Sequence, residues 1–306
     1  SKKNIEVFHM DIVQDVSKKT RSFDSHKKVG LAVVDLDGVL RGKFIHPKKF
    51  SSVLENGFGF CSVIFGWDSA DQCYSNSKYT GWHNGYPDAH CKLDLATERQ
   101  VPWDQNSPFF LGEFFEKDGK TPLSLCPRGL LKKIVKRAED QGFYPQVGCE
   151  YEWFNFEETA DSLMQKHYVS PKPMTPGMFG YSLIRAYEKQ DYLNDLMEGL
   201  EGFSIPIEGL HTETGPGVYE AAIAYTSAVE AADRACLFKT AVKQIALKHK
   251  VMPSFMARWH TDYPGCSGHI HESLKDSAGE NIFASQFLFD LIRNNLLYKK
   301  IEKIFL

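Results

Sequence analysis

Apolar and polar positions along the chain change period from segment to segment, and each change predicts an element. Residues 28–40 run apolar into a turn at Asp37-Gly38 and predict a strand entering a hairpin. Gly59 to Phe65, rich in aromatic and β-branched residues, predicts a second strand. From Trp67 to Tyr86 the chain is polar, with Gly, Ser, Asn and Asp, and predicts a long loop of the kind that carries function. Turn signals cluster between Pro102 and Pro122 and place a domain division there, giving units 1–115 and 116–306. A helix follows from Pro127, with Leu130, Leu131, Ile134, Val135 and Ala138 as its apolar stripe and Gly142 as its stop. Next comes a strand around Glu150 and Glu152, and then a loop over residues 160–180. Thr226 to His249 predicts a long helix buried along Val229, Ala232, Cys236, Ala241 and Ile245. A strand from Val251 to Trp259 leads through Tyr263-Pro264-Gly265 into another strand that holds His269 and His271. Residues 286–306 predict an apolar helix with no stop signal before Leu306, the pattern expected of an incomplete chain.

Composition changes this picture little. With 42% apolar and 25% charged residues the chain is globular in type, and at 306 residues it has room for two domains. A formal charge of −3 gives no electrostatic case for nucleic acid or anionic membrane. No apolar run is long enough to span a bilayer, and the start SKKNIEVFHMD lacks the apolar centre of a signal peptide. Seven cysteines without a C-x-x-C pair read as reduced thiols, so the expected location is cytoplasmic.

The candidate chemistry lies in three islands: GCEYEWF with Glu150 and Glu152, HTETGPGVYE with Glu213 and Glu220, and GHIHES with His269 and His271. In a strand, acid-x-acid and His-x-His place both side chains on one face. Four carboxylates and two imidazoles together suit Mg²⁺ or Mn²⁺, as a pair of ions, better than structural zinc. Separately, VVDLDGVL (residues 33–40) is open to two readings. It is either a strand and hairpin turn, or the first motif of a haloacid-dehalogenase-like phosphatase with Asp35 as nucleophile and Asp37 as general acid.

In order and spacing, these islands resemble the glutamine synthetase superfamily, and the likeness runs from about Val29 to about Ala284. VGLAVVDLDGVLRGKFI resembles its β-grasp strand, and FGWDSAD the loop that reaches a neighbouring subunit's site. CPRGLLKKIVKRAEDQGF, HTETGPGVYE and FMARWHTDYPGCSGHIHESL resemble its catalytic segments. The resemblance implies an α+β fold: a small N-terminal β-grasp domain, then a catalytic domain of curved antiparallel sheet with helices. It further implies an ATP-dependent ligase that joins the γ-carboxylate of glutamate, or a similar acid, to ammonia or an organic amine through an acyl phosphate. Small-molecule acid and amine substrates and ring-shaped homo-oligomers go with that. By motif position, Glu152, Glu213 and Glu220 would hold one metal, and Glu150 and His269 the second. His271 and Ser273 would contact ATP, Gly265 the acid, and Asp68 the amine.

Departures from the pattern are specific. Pro264-Gly265-Cys266-Ser267-Gly268 replaces an Asn-Gly-Ser-Gly run, Ala257-Arg258-Trp259 replaces Pro-Lys-Pro, and FGWDSAD replaces an FDGSS form. They point to the divergent γ-glutamylpolyamine synthetase-like branch, or to a silent, lengsin-like structural or regulatory member. The family's last third, with a further metal-binding glutamate and phosphate-binding arginines, has no counterpart in residues 286–306.

Overall fold

The computed structural model describes residues 23–284. The 286–306 helix expectation therefore lies outside the described residues. Two five-stranded sheets carry the described residues.

The first sheet is mixed. Its strands are β1 (Val29–Val34), β2 (Leu40–Ile45), β3 (Phe58–Cys61), β4 (Asp88–Val101) and β5 (Ser107–Phe115), ordered β2-β1-β5-β4-β3 with β1 and β5 parallel. α1 (Phe50–Asn56) packs Phe50 and Val53 against β1 and β5 through Val29, Leu31 and Phe110. The β1–β2 turn is held by Asp35, which is buried. Its carboxylate accepts from the N–H groups of Asp37 and Val39 and pairs with Arg41 at 2.7 Å. Asp35 therefore organises a hairpin, and the nucleophile reading of DLDG falls away. The Gly59–Phe65 strand is real only to Cys61, and its remainder is a 3₁₀ turn. The turn-rich stretch from Pro102 to Pro122 contains β5, whose largely apolar run SPFFLGEFF, interrupted by Glu113, pairs on both sides.

The second sheet is antiparallel, ordered β10-β6-β8-β7 with β9 also on β6. Its strands are β6 (Tyr144–Phe156), β7 (Ile207–Thr212), β8 (Val218–Ser227), β9 (Met252–Ser254) and β10 (Gly268–Lys275). Register shifts at Val147/Cys149 and Ile207/Gly209 bend it, as extra residues do in a ladder. The Val251–Trp259 strand ends at Ser254. The helices are α2 (Pro127–Glu139), α3 (Ala160–Gln165), α4 (Leu183–Tyr187), α5 (Gln190–Gly202) and α6 (Ala228–Ala246). α3 interrupts the loop expected over residues 160–180, where its Thr159–Ser162 capping box starts a helix. Along α6 the buried positions include Ala231, Ala235, Phe238, Val242 and Ile245, while Val229, Ala232 and Cys236 are half-buried. The stripe is broader than a single sheet would require because α6 meets both sheets. One core joins Ala32, Val101 and Leu111 of the first sheet to Phe238 and Ala241 of α6 and Trp153 of β6.

A buried ion network crosses the same junction. The Arg128 guanidinium on α2 grips Asp233 on α6 with two hydrogen bonds of 2.8 and 2.9 Å. It also pairs with Glu113 of β5 and Asp94 of β4, and Lys132 joins the same two acids. These partners hold the Asp94 carboxyl below its ordinary range, against a burial effect that is individually larger. Removing one partner of such a network strands the others in low dielectric. Arg128→Ala is therefore expected to lower unfolding free energy by about 3–5 kcal/mol. Urea denaturation checks this, and a loss below about 1 kcal/mol, the size of an exposed pair, would contradict it.

Candidate metal centre

Strand pairing brings the islands together. Across β6 and β8, Glu152 lies opposite Glu220, and across β6 and β10, Glu150 lies opposite His269. Across β7 and β8, His211 lies opposite Glu220. Directly opposed residues share a face with Cβ atoms about 5 Å apart. Alternation does the rest: Cys149, Tyr151 and Trp153 face the core cluster, so Glu150 and Glu152 face away from it.

Glu213 sits one residue beyond β7, in the turn Glu213–Gly217. The Glu213 N–H donates to the Val218 carbonyl at 3.0 Å and closes that turn. Gly217 has φ +71°, and a Cβ there would lie 2.5 Å from the Asn155 carbonyl oxygen, so only glycine fits. Asn155 is fully buried. Its N–H and its side-chain amide both donate to the Gly217 carbonyl, and its Oδ1 accepts from Trp153 and Tyr192. The turn that aims Glu213 and Glu220 is thus bolted to β6, which carries Glu150 and Glu152.

Among the described residues, ligand atoms gather in two groups, each within 4.8 Å internally: Glu150, Glu220 and His269, and His211, Glu213 and Glu220. Glu220 belongs to both. His269 Nδ1 and His271 Nε2 each lie 3.1 Å from Glu150 Oε2. The contact with His271 is the main cause that holds the Glu150 carboxyl below its ordinary range. Glu220 moves the other way. Burial raises its carboxyl, His211 offsets part of this, and the negative charges of Glu152, Glu150 and Glu213 raise it further. Cys266 feels the same field, its thiol pushed up to about 12 by burial and then by Glu152, Glu213 and Glu220. Crowded carboxylates of this kind fit a hard divalent cation, and the imidazoles suit Mn²⁺ as well as Mg²⁺.

The other singled-out residues separate into near and far. Glu152 is in neither ligand group, and its Oε1 accepts from Ser267 Oγ at 2.7 Å. Gly265 lies two residues before Ser267, where a Cβ would meet the Ala257 carbonyl oxygen at 2.5 Å. His271 and Ser273 line an open cleft of about 580 Å³ that also contains Glu150, Gln146, Tyr225 and Lys275. Asp68 stands apart, on the loop after the first sheet's 3₁₀ turn, where its Oδ1 accepts from the N–H groups of Ala70 and Gln72. His211 completes the site without having been singled out. Its spacing from Glu213, His-x-acid, is the same same-face signal that marked Glu150 and Glu152.

The family model for the glutamine synthetase catalytic domain matches residues 124–289, which includes every residue of the cluster. The chain belongs to the glutamine synthetase family. It is 49% identical over 259 residues to a type-1 glutamine synthetase 2 of Dictyostelium discoideum, covering 84% of this chain and 49% of that one. It is 34% identical over 258 residues to a glutamate–isopropylamine ligase of a Pseudomonas species, covering 84% and 56%. The fold matches that of a GmaS–ADP complex with a TM-score of 0.71 at 22% identity, over 86% of this chain and 56% of that one. The chain therefore spans about half the length of the curated relatives it matches. This likeness includes the bent antiparallel sheet, so the α+β expectation and the family resemblance both hold.

Glu220 gives the centre a pH signature. A metal takes the ionised carboxylate, and the Glu220 carboxyl is raised. Mn²⁺ affinity is therefore expected to fall as pH descends through a window above the ordinary glutamate range, with proton release on binding there. In the absence of metal the sign reverses. A raised carboxyl favours the fold at low pH, and this contribution is lost as pH rises through its folded-state pKa. Glu220→Gln should weaken Mn²⁺ binding at least about tenfold while leaving metal-free stability at pH 7 unchanged or higher. Calorimetry and thermal unfolding measure the two, and unaltered Mn²⁺ affinity would sink the assignment.

Proposed function

We propose that this protein joins the γ-carboxylate of glutamate to an organic amine, using ATP. The observation that carries the proposal is the convergence of Glu150, Glu152, Glu213, Glu220, His211 and His269 beside the open cleft. His211, Glu213 and Glu220 would hold one divalent ion and Glu150, Glu220 and His269 a second, with Glu152 supporting the first through its charge. Bound there, such ions supply charge neutralisation for the phosphates and align donor with acceptor. The cleft is large enough for a nucleotide, and His271, which contacts Glu150, and Ser273 would meet its phosphates. The backbone at Gly265 would meet the amino acid. A glutamate carboxylate oxygen takes the γ-phosphoryl group and ADP leaves. The amine nitrogen then attacks the acyl carbon, the C–O bond to phosphate breaks, and the nitrogen loses a proton.

Asp68 is the proposed proton acceptor, reaching the site of a neighbouring copy in a ring, since it lies outside this chain's cluster. The division at residue 115 belongs to the same proposal: the first sheet presents the Asp68 loop and the second holds the metals. Support for an organic amine comes from FGWDSAD and Pro264, and from relatives that include the isopropylamine ligase and a γ-glutamylputrescine synthetase of Escherichia coli.

The test is ADP release coupled to γ-glutamyl amide formation by the assembled protein. Amide formation should require glutamate, amine and Mn²⁺ or Mg²⁺, proceed with higher kcat/KM for organic amines than for ammonia, and disappear in Glu220→Gln. Asp68→Asn should lower kcat about 100-fold. Mixing Asp68→Asn with Glu220→Gln subunits should then restore activity, because some sites would pair a sound loop with a sound cluster. ADP release that ignores amine, or ammonia as the best substrate, would refute the amine ligase reading.

A further inference from the structure

We propose that Arg41 is a positioning residue for Asp68: it clamps the turn that carries Asp68 and so fixes where that carboxylate stands. The inference rests on the ligase reading, in which Asp68 takes the amine's proton, and adds the residue through which the first sheet aims it.

The Asp68 turn is closed on itself. Trp67 and Cys73 pair across its base as an antiparallel bridge. The Asp68 N–H donates to the Gln72 carbonyl and the Asp71 N–H to the Asp68 carbonyl, both at 3.0 Å. Asp68 Oδ1 is taken up by the N–H groups of Ala70 and Gln72, at 2.8 and 2.9 Å. Its Oδ2 meets no donor among the described residues, which leaves one oxygen to act as a base. A turn that is rigid within itself still needs an anchor to aim it. It follows β3, one edge of the first sheet, whereas β2 is the other edge. The sheet curls enough for the two edges to meet. The Lys43 ammonium of β2 stands 4.5 Å from the Phe60 ring centre of β3 and donates to the Gly59 carbonyl.

Arg41 lies two residues before Lys43, on the same face of β2, and makes the matching contact to the turn. Its Nε pairs with Asp35 and its Nη1 with Asp71, both at 2.7 Å, and its guanidinium stands 4.9 Å from the Trp67 ring centre. Asp35 is buried and is itself fixed by the N–H groups of Asp37 and Val39. Contacts therefore run from a buried hairpin, through one planar guanidinium, to residues on either side of Asp68. The outer pair is too exposed to add much stability, since Asp71 is 54% exposed. What a fork with one arm already fixed supplies is direction. Its single positive charge is matched by Asp35 and Asp71, so it has none to spare for neutralising Asp68. Arg41 acts on Asp68 through geometry.

The experiment measures product formation by the assembled protein from n-butylamine and from hydroxylamine. The first is an ammonium ion at neutral pH and must lose a proton to attack. The second is already neutral there and needs a base less. Asp71→Gly removes the carboxylate that Arg41 holds, and glycine keeps the φ of +62° without strain. Both Asp71→Gly and Arg41→Ala should lower kcat with n-butylamine about tenfold, with a much smaller loss for hydroxylamine and unchanged KM for ATP and glutamate. Asp71→Asn, which keeps the acceptor oxygen, should match wild type. Asp71→Gly combined with Asp68→Asn should be no slower than Asp68→Asn alone, because residues that act through one carboxylate do not add. Wild-type kcat in Asp71→Gly, equal losses with both nucleophiles, or additive losses in the double variant overturns the clamp alone, even if Arg41→Ala fails to fold. No product from either nucleophile in wild type overturns the ligase reading and the clamp with it.

Discussion

The register of the β6–β8 pair is the constraint on which the site depends. It sets Glu152 against Glu220, and through β7 it sets His211 against the same residue. A slip of one residue would turn Glu150 and Glu152 into the core and send Tyr151 and Trp153 outward. Burial forbids that slip: Trp153 is fully buried and set edge-on to the Phe238 ring of α6. Asn155 locks the same register from the polar side by holding the Gly217 turn. Hydrophobic packing and a buried hydrogen-bond node therefore enforce one alignment, and the ligand geometry is a consequence of it.

That alignment concentrates the carboxylates of Glu150, Glu152, Glu213 and Glu220, and like charges crowded together repel. Burial raises the Glu220 carboxyl and the Cys266 thiol first, and the neighbouring carboxylates raise both further. Stability has to come from elsewhere, and the junction around α6 supplies it. There Arg128 meets three acids from three elements, and an apolar core runs through from the first sheet to the second. The charge-poor face of the sheet and the charge-rich face are thus opposite sides of the same strands. The core side holds still what the solvent side would push apart.

Much of this was legible in the chain because strands announce themselves by period two. Glu150 with Glu152, and His269 with His271, were found from spacing alone, and Asp37-Gly38 marked its hairpin. Glu213 and Glu220 were harder, because a turn separates them by seven residues and only the ladder brings them together. β4 and β5 differ in how far the sequence reveals them. β4 does alternate polar and apolar residues from Asp88 to Leu95, a period-two signal that the sequence carries, whereas β5 is apolar on both faces apart from Glu113 and shows no alternation. The breadth of the α6 stripe depends on its meeting two sheets, which no local window contains. Arg128 and Asp233 lie 105 positions apart, and nothing in either neighbourhood declares a buried pair.

The candidate site and the loop beside it rest on different kinds of structure. The acid and nucleotide side is built on paired strands, where a shifted side chain would disturb a ladder and a core. Residues 177–182 instead form a loop held by one hydrogen bond to the Thr212 carbonyl, one to the Thr212 hydroxyl and one ring stack. Substitutions at Met178, Phe179 or Tyr181 change an exposed surface and leave the ladder untouched. A fold arranged in this way can vary its loop side chains while the carboxylate face of the sheet stays constant. Loops on a rigid scaffold are where such variation is tolerated. The strained backbone of Tyr181 fits that division: its conformation is fixed by the strand beneath, so only its side chain is free to be selected.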